Sequence, residues 1–204
     1  MNKILFKQRS YRLLCLLLSL SLSTLGTAQI RLENPSFEGE PQDATMPAGW
    51  HACAQGTTPD ILPGAWGVRQ EASDGDTYMG LITRDDGSWE SVGQRLSEPL
   101  EAKECYNISM DLARSDTYLG YSMPLKLKIW GCKTKCSKDQ LLGETDFIKH
   151  TDWKRYPFAF VPNEAYNYII FEAQYISGIS FAYKGNILVD NCSTIDRCTR
   201  ASLE

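Results

Sequence analysis

Apolar and polar residues alternate with a period of two along much of this chain. The clearest run is 105–113, where Tyr106, Ile108, Met110 and Leu112 fall on one side and Asn107, Ser109, Asp111 and Ala113 on the other. One apolar and one polar face marks a strand that covers a core and meets solvent. The segment 125–130 repeats the pattern, with Leu125, Leu127 and Ile129 inward and Lys126, Lys128 and Trp130 outward. Further strands are expected over 66–69, 77–83, 88–96, 156–161 and 166–175. Asp85-Asp86-Gly87 reads as a hairpin turn joining 77–83 to 88–96. The closing segment 185–191 differs, because Ile187, Leu188 and Val189 form an unbroken apolar run between Gly185 and Asn191. That is the pattern of a strand buried on both faces.

Between these segments the chain is punctuated rather than periodic. Residues 34–64 carry Pro35, Pro41, Pro47, Gly49, Gly56, Pro59, Pro63 and Gly64 and read as one long loop, with Trp50 and Trp66 at its end points. The segment 178–183 is a connection. Residues 138–142 could make a single helical turn, and no longer helix is found. Many short strands with turn signals between them predict an all-β sandwich or barrel. No repeat or linker divides the chain.

The first 28 residues change the picture. Lys3, Lys7, Arg9 and Arg12 precede an apolar run from Leu13 to Leu22, and Gly26-Thr27-Ala28 supplies small residues at a cleavage site. This reads as a signal peptide over 1–28, with Gln29 the first mature residue. The run is too short for a membrane span, which needs about 20 residues. A single domain is expected over 29–195, followed by a polar, frayed tail over 196–204. Beyond the leader 17 Lys and Arg stand against 25 Asp and Glu, a net of −8. That argues against nucleic acid and anionic membrane surfaces as partners, both of which select basic faces. Six cysteines remain, Cys53, Cys105, Cys132, Cys136, Cys192 and Cys198. An even count in an exported chain reads as disulfides, with 15 pairings open. The nearest-neighbour choice joins Cys132 to Cys136 and Cys192 to Cys198, and leaves Cys53 for Cys105. A zinc site would use the two close pairs, but no histidine joins them.

Three motifs taken together resemble a known family. These are Asn34-Pro35-Ser36-Phe37-Glu38 at the start, then Gly49-Trp50, and Ile187-Leu188-Val189-Asp190-Asn191 at the close. Their order and spacing over 31–195 resemble the galactose-binding-like jelly rolls, which include cellulose- and xylan-binding modules of secreted polysaccharide-degrading enzymes. The resemblance implies two antiparallel sheets, one of them concave, and a structural calcium between the first and last strands. The matching positions are Glu38 and Asp190, which the strand reading also places side by side. Asp76, in the turn Asp74-Gly75-Asp76, is a third candidate ligand. Calcium takes six to eight oxygens, several of them carbonyls. The alternative is that Glu38 and Asp190 are rim carboxylates bonded to backbone amides. The cysteine content and the loop over 41–64 depart from the family's frame.

Sugars are held by aromatic rings stacked on their apolar faces and by hydrogen bonds to hydroxyls. Trp130 on its polar strand face is the candidate platform, with Asn107, Ser109 and Asp111 as a polar stripe on the same concave sheet and Tyr118 and Tyr121 closing one edge. Against this, lysine stems can pack on a Trp that simply covers its own sheet. Trp50, Trp66 and Trp153 read as loop anchors, and the face of Trp89 is undetermined. For catalysis the nearest carboxylate set is Asp85, Asp86 and Glu90 beside Arg84, but a turn explains Asp85-Asp86-Gly87. His51 and His150 lie in loops, and no nucleophile elbow, zinc-protease motif or phosphate loop occurs. The expectation is an exported, non-catalytic carbohydrate-binding sandwich, periplasmic, secreted or at the cell surface. The alternative is a surface structural or protein-interaction module without a sugar site.

Overall fold

The computed structural model describes residues 29–175 and 181–198. The expected leader, residues 178–180 of the 178–183 connection and the end of the tail lie outside these residues. The chain forms two antiparallel sheets packed face to face, a jelly-roll β-sandwich. The strands are β1 (His51–Ala52), β2 (Asp60–Leu62), β3 (Tyr78–Thr83), β4 (Ser91–Leu100), β5 (Tyr106–Ala113), β6 (Met123–Pro124), β7 (Lys126–Cys132), β8 (Gln140–Glu144), β9 (Lys154–Phe160), β10 (Tyr166–Gln174), β11 (Gly185–Asp190) and β12 (Asp196–Arg197). Five of them form one sheet in the order β1-β4-β10-β7-β8. The other sheet is built on β5-β11-β3-β2, with β9 and β12 pairing β5 and β6 running parallel to β11.

The core between the sheets takes the apolar side of each alternating strand. Ile108, Met110 and Leu112 of β5 meet Leu127 and Ile129 of β7 and Ile169 and Phe171 of β10 in one buried cluster. Trp50 enters it from the long loop, its ring centroid 5.1 Å from Phe37 and 5.2 Å from Phe171. β11 is buried on both faces, as its unbroken apolar run predicts. Ile187 and Val189 face the sandwich core, while Leu188 joins Leu62, Val68, Tyr78 and Tyr118 in a second cluster. That second cluster lies under the loops around Ala65, Ala72 and Tyr121, so those loops cover the outer side of this sheet.

Several sequence expectations are corrected. Residues 77–83 and 88–96 do not pair as a regular hairpin, because β3 and β4 lie in different sheets and the segments meet beside the turn, at the Thr83–Trp89 bridge and the hydrogen bonds between Ile82 and Glu90. The Asp85-Asp86-Gly87 turn therefore carries the chain from one sheet to the other. The expected strand at 66–69 is a single 3-10 turn, Ala65–Gly67, with Trp66 in a left-handed conformation. The expected helical turn at 138–142 opens strand β8, and the long loop contains β1 and β2. Residues 196–198 of the expected frayed tail are tied down, since β12 pairs with β5 and Cys198 is bonded to Cys105.

The nearest-neighbour disulfides are also overturned. The bonds are Cys53–Cys136 and Cys105–Cys198, and Cys132 and Cys192 are free, buried thiols. Chain separation is a poor guide here because the sandwich brings segments 83 and 93 residues apart into contact.

Candidate functional site

The outward face of the five-stranded sheet carries a buried charge. Along β10 the core side takes Ile169, Phe171 and Ala173, so strand alternation turns Tyr168, Ile170 and Glu172 outward. Glu172 is nonetheless only 2% exposed. The Trp89 indole donates to its Oε2 at 3.0 Å, and the Trp130 indole donates to its Oε1 at 3.3 Å. The Lys138 ammonium pairs with Oε2 and also sits 5.7 Å from the Trp89 ring centroid. A carboxylate taken out of water needs this set of charged and neutral donors, since an isolated buried charge is very costly.

A strap holds these groups in place. Residues 133–139, the connection between β7 and β8, fold back over the sheet rather than away from it. Cys136 is bonded to Cys53, which follows edge strand β1, so the strap passes over β4 and β10. Gly93 of β4 makes room beneath it, because a Cβ there would come within 2.8 Å of the Cys53 sulfur and 3.0 Å of His51 Nε2. Lys138 then reaches Glu172, and its amide donates to the Cys132 sulfur at 3.3 Å. Burial raises the Cys132 thiol's pKa, and burial with Lys135 nearby lowers that of His51.

Where the strap meets the end of β4 and β10, a cavity of about 300 Å³ opens, lined by Arg95, Lys133, Thr134, Lys135, Asn167 and Tyr168. Beyond Arg95 a second hollow of about 240 Å³ is lined by Arg31, Leu32, Glu33 and Ser97.

The predicted sugar residues are divided between the two sheets. Trp130 lies on β7 in the five-stranded sheet, half-buried beside Lys128. Asn107, Ser109 and Asp111 lie on β5 in the other sheet, so the expected common stripe does not exist. Asp111 is buried, accepts Ser73 Oγ at 2.7 Å and pairs with Arg155 at 3.2 Å. The Ser109 amide donates to the Ser193 hydroxyl at 2.9 Å, and the Asn107 side chain lies against the disulfide-bonded Cys198 sulfur. Tyr118 is 1% exposed and donates to buried Asp60, and Tyr121 packs against it and Trp66 on the far side of the sandwich. Alternation of side chains assigns a residue to a face, not to a sheet. The residues missed were Trp89, Lys138 and Glu172. The available signal was Glu172 itself, a lone carboxylate inside the apolar run Ile169-Ile170-Phe171-Glu172-Ala173.

Glu38 and Asp190 do converge, on a single turn. Asp190 Oδ2 accepts the amides of Ser73 and Asp74 at 2.7 and 2.9 Å. Glu38 accepts the amides of Asp76 and Thr77 at 3.1 and 3.4 Å. Gly75 lies between them, where any Cβ would collide with Glu38. Asp190 is fully buried, and burial pushes its pKa up to about 6. None of the ion pairs among the described residues reaches either carboxylate. In charge the turn fits a cation. In spacing the three candidates are looser, since Glu38, Asp76 and Asp190 do not bring three oxygens within 4.8 Å of one another. The group that meets that spacing among the described residues is His51, Cys53 and Cys136, whose sulfurs are bonded together.

The carboxylate set weighed for catalysis is dispersed. Asp85 pairs with Lys184 and Asp86 caps Ser88 on the surface. Glu90 is buried, holds the amides of Thr58 and Ile82 and pairs with Arg84, and burial raises its pKa.

No protein-family model matches the sequence, and no curated protein matches it. Solved structures do. The CBM22-1 xylan-binding domain from Paenibacillus barcinonensis Xyn10C is 16% identical over 79% of this chain and 90% of its own, with a TM-score of 0.51. The K3 cleaved adhesin domain of Lys-gingipain from Porphyromonas gingivalis is 12% identical over 82% of this chain and 97% of its own, with a TM-score of 0.52. An α-L-arabinofuranosidase, MgGH51, matches at 12% identity and a TM-score of 0.57 over 86% of this chain but only 27% of its own. The chain shares the jelly-roll β-sandwich fold of these structures. Within this jelly roll the five-stranded sheet keeps its outer face, and the strap crosses it.

The Lys138–Glu172 pair makes a direct prediction. Removing a partner from a buried pair strands the other charge. Because Lys138 is 24% exposed, Glu172→Ala is expected to cost about 2–4 kcal/mol, at the lower edge of the buried range. In a double-mutant cycle by urea unfolding, Lys138→Ala with Glu172→Ala should show a coupling of ~1 kcal/mol or more. Additive losses would mean that the strap is not held by this pair.

Proposed function

We infer that this protein is a non-catalytic carbohydrate-binding module, exported, that holds sugar on the outer face of its five-stranded sheet. The observation that carries this reading is the pair Trp89 and Trp130, whose indole N–H groups are both turned inward onto Glu172. That anchors both rings on a face that also carries Lys126, Lys128 and Tyr168. Fixed aromatic rings with polar neighbours suit a sugar, which offers an apolar ring face rimmed by hydroxyls. The jelly-roll fold and two disulfides are compatible with an extracellular protein, and among the described residues no helix is long and apolar enough to cross a membrane. A protein-interaction module is the second reading. It is favoured by the 133–139 strap, which already covers Ile170 and Glu172 on this face.

A glycan array separates the two. Wild type should bind a subset of polysaccharides, and Trp130→Ala should lose about tenfold or more in affinity, the scale of ~1.4 kcal/mol expected for one lost ring contact. Retention of binding by both Trp130→Ala and Trp89→Ala would move the site off this face, and an empty array would favour the protein-interaction reading.

The same reading includes a structural calcium ion at the Ser73–Thr77 turn, with Glu38 and Asp190 as carboxylate ligands and Asp76 beside them. Its support is the uncompensated negative charge of that turn. The ion would neutralise buried Asp190 and half-buried Glu38 and tie the first segment of the fold to the last strand. At 100 times Kd, calcium would stabilise the fold by ~2.7 kcal/mol, or about 5–10 °C in Tm for a chain of this length. A chelator should remove that shift, and Glu38→Gln should abolish it. An unchanged Tm on chelation would leave the turn held by its amide hydrogen bonds alone.

A further inference from the structure

We propose that the cavity between the strap and the β4–β10 end of the sheet binds an anionic sugar unit, a uronate carboxylate or a sulfate ester. This rests on the carbohydrate-binding reading and names the ligand class for one part of the same face. The chain has a formal net charge of −4, yet this cavity of about 300 Å³ is lined by three cations, Arg95, Lys133 and Lys135. Lys133 is committed to Glu164 at 2.5 Å, but Arg95 and Lys135 join no ion pair among the described residues. Arg31 extends the basic rim beyond Arg95, with Glu33 the acidic group beside it. Unpaired cations converging on a hollow are what an anion needs, and arginine can grip a planar carboxylate or a sulfate through two parallel bonds.

Arg95 and Tyr168 face each other across β4 and β10. The Tyr168 ring is braced edge-on by His51, with centroids 6.2 Å apart. It supplies the flat apolar surface that a sugar ring stacks on. Lys133 and Lys135 come from the strap, and the Lys133 carbonyl is fixed by the Asn167 amide at 3.3 Å. The Cys53–Cys136 bond anchors the strap next to Lys135. Cations from two separate elements are thus held over one aromatic ring by a covalent tie. A neutral polysaccharide would need the ring and gain little from the charges.

The test compares binding by titration calorimetry of three oligosaccharides of equal length. These are an oligogalacturonate, its neutral methyl ester and a sulfated galactan fragment. At least one acidic oligosaccharide should bind about tenfold or more tightly than the methyl ester, ~1.4 kcal/mol, and added salt should erase the difference. The acidic arm that binds tells carboxylate from sulfate. Arg95→Ala with Lys135→Ala should remove the preference, bringing the acid and its methyl ester to equal affinity, and Cys53→Ser with Cys136→Ser should weaken the preference. Both substituted pairs are checked for folding by circular dichroism. Equal binding of the acid and its ester would overturn this proposal and leave the carbohydrate reading intact. An acid preference that survives Arg95→Ala with Lys135→Ala would also overturn it. Binding of none of the three by the wild type, together with an empty glycan array, would overturn both.

Discussion

A carboxylate placed on the outside of a sheet and then hidden from water must be given partners by whatever hides it. Glu172 is that carboxylate. Two indole donors reach it along the sheet, and its cation comes from the strap that covers it. The strap in turn cannot settle there without Gly93, which leaves the space that Cys53 and His51 occupy. Strap, ion pair, disulfide and the orientation of Trp89 and Trp130 are therefore one coupled arrangement. A disulfide closing so long a loop stabilises by about 2–4 kcal/mol in general. Here it also decides which part of the sheet's face remains open.

The opposite rim shows the same economy. Glu38 from the start of the fold and Asp190 from the last strand grip one turn from two sides, and Asp111 holds Ser73 from a third direction. Five or more hydrogen bonds among these groups join the two ends of the chain through a segment that belongs to neither. Gly75 at the centre has a left-handed backbone and no room for a side chain. The loops over the second sheet bury Leu188, Tyr118 and Asn186.

Much of this was legible in the sequence. Period-two alternation located β5 and β7 to within two residues, and the unbroken run of β11 gave its burial on both faces. The motifs at Asn34–Glu38 and Ile187–Asn191 placed the first and last segments together. What alternation cannot supply is which sheet a strand joins. Asp85-Asp86-Gly87 has the same turn chemistry whether the flanking strands pair or part, and here they part. For the same reason Trp130 and the Asn107-Ser109-Asp111 stripe were read onto one sheet. The disulfides were misread because short chain separation was taken for proximity, whereas the strap's fold-back sends Cys136 past Cys132 to Cys53. Lys138 gave no signal, because a lysine in a turn is ordinary until its partner is known.

The central claim is that a ligand meets this protein on the outer face of the five-stranded sheet. The most direct measurement leaves the chain unaltered. The chain has five tryptophans, and their indole N–H signals can be followed by nuclear magnetic resonance while the best-binding oligosaccharide is titrated in. The account predicts that the Trp89 and Trp130 signals move with ligand, while those of Trp50 in the core and of Trp66 and Trp153 on the far side stay fixed. Movement confined to Trp66 or Trp153 would place the site on the other sheet and contradict it.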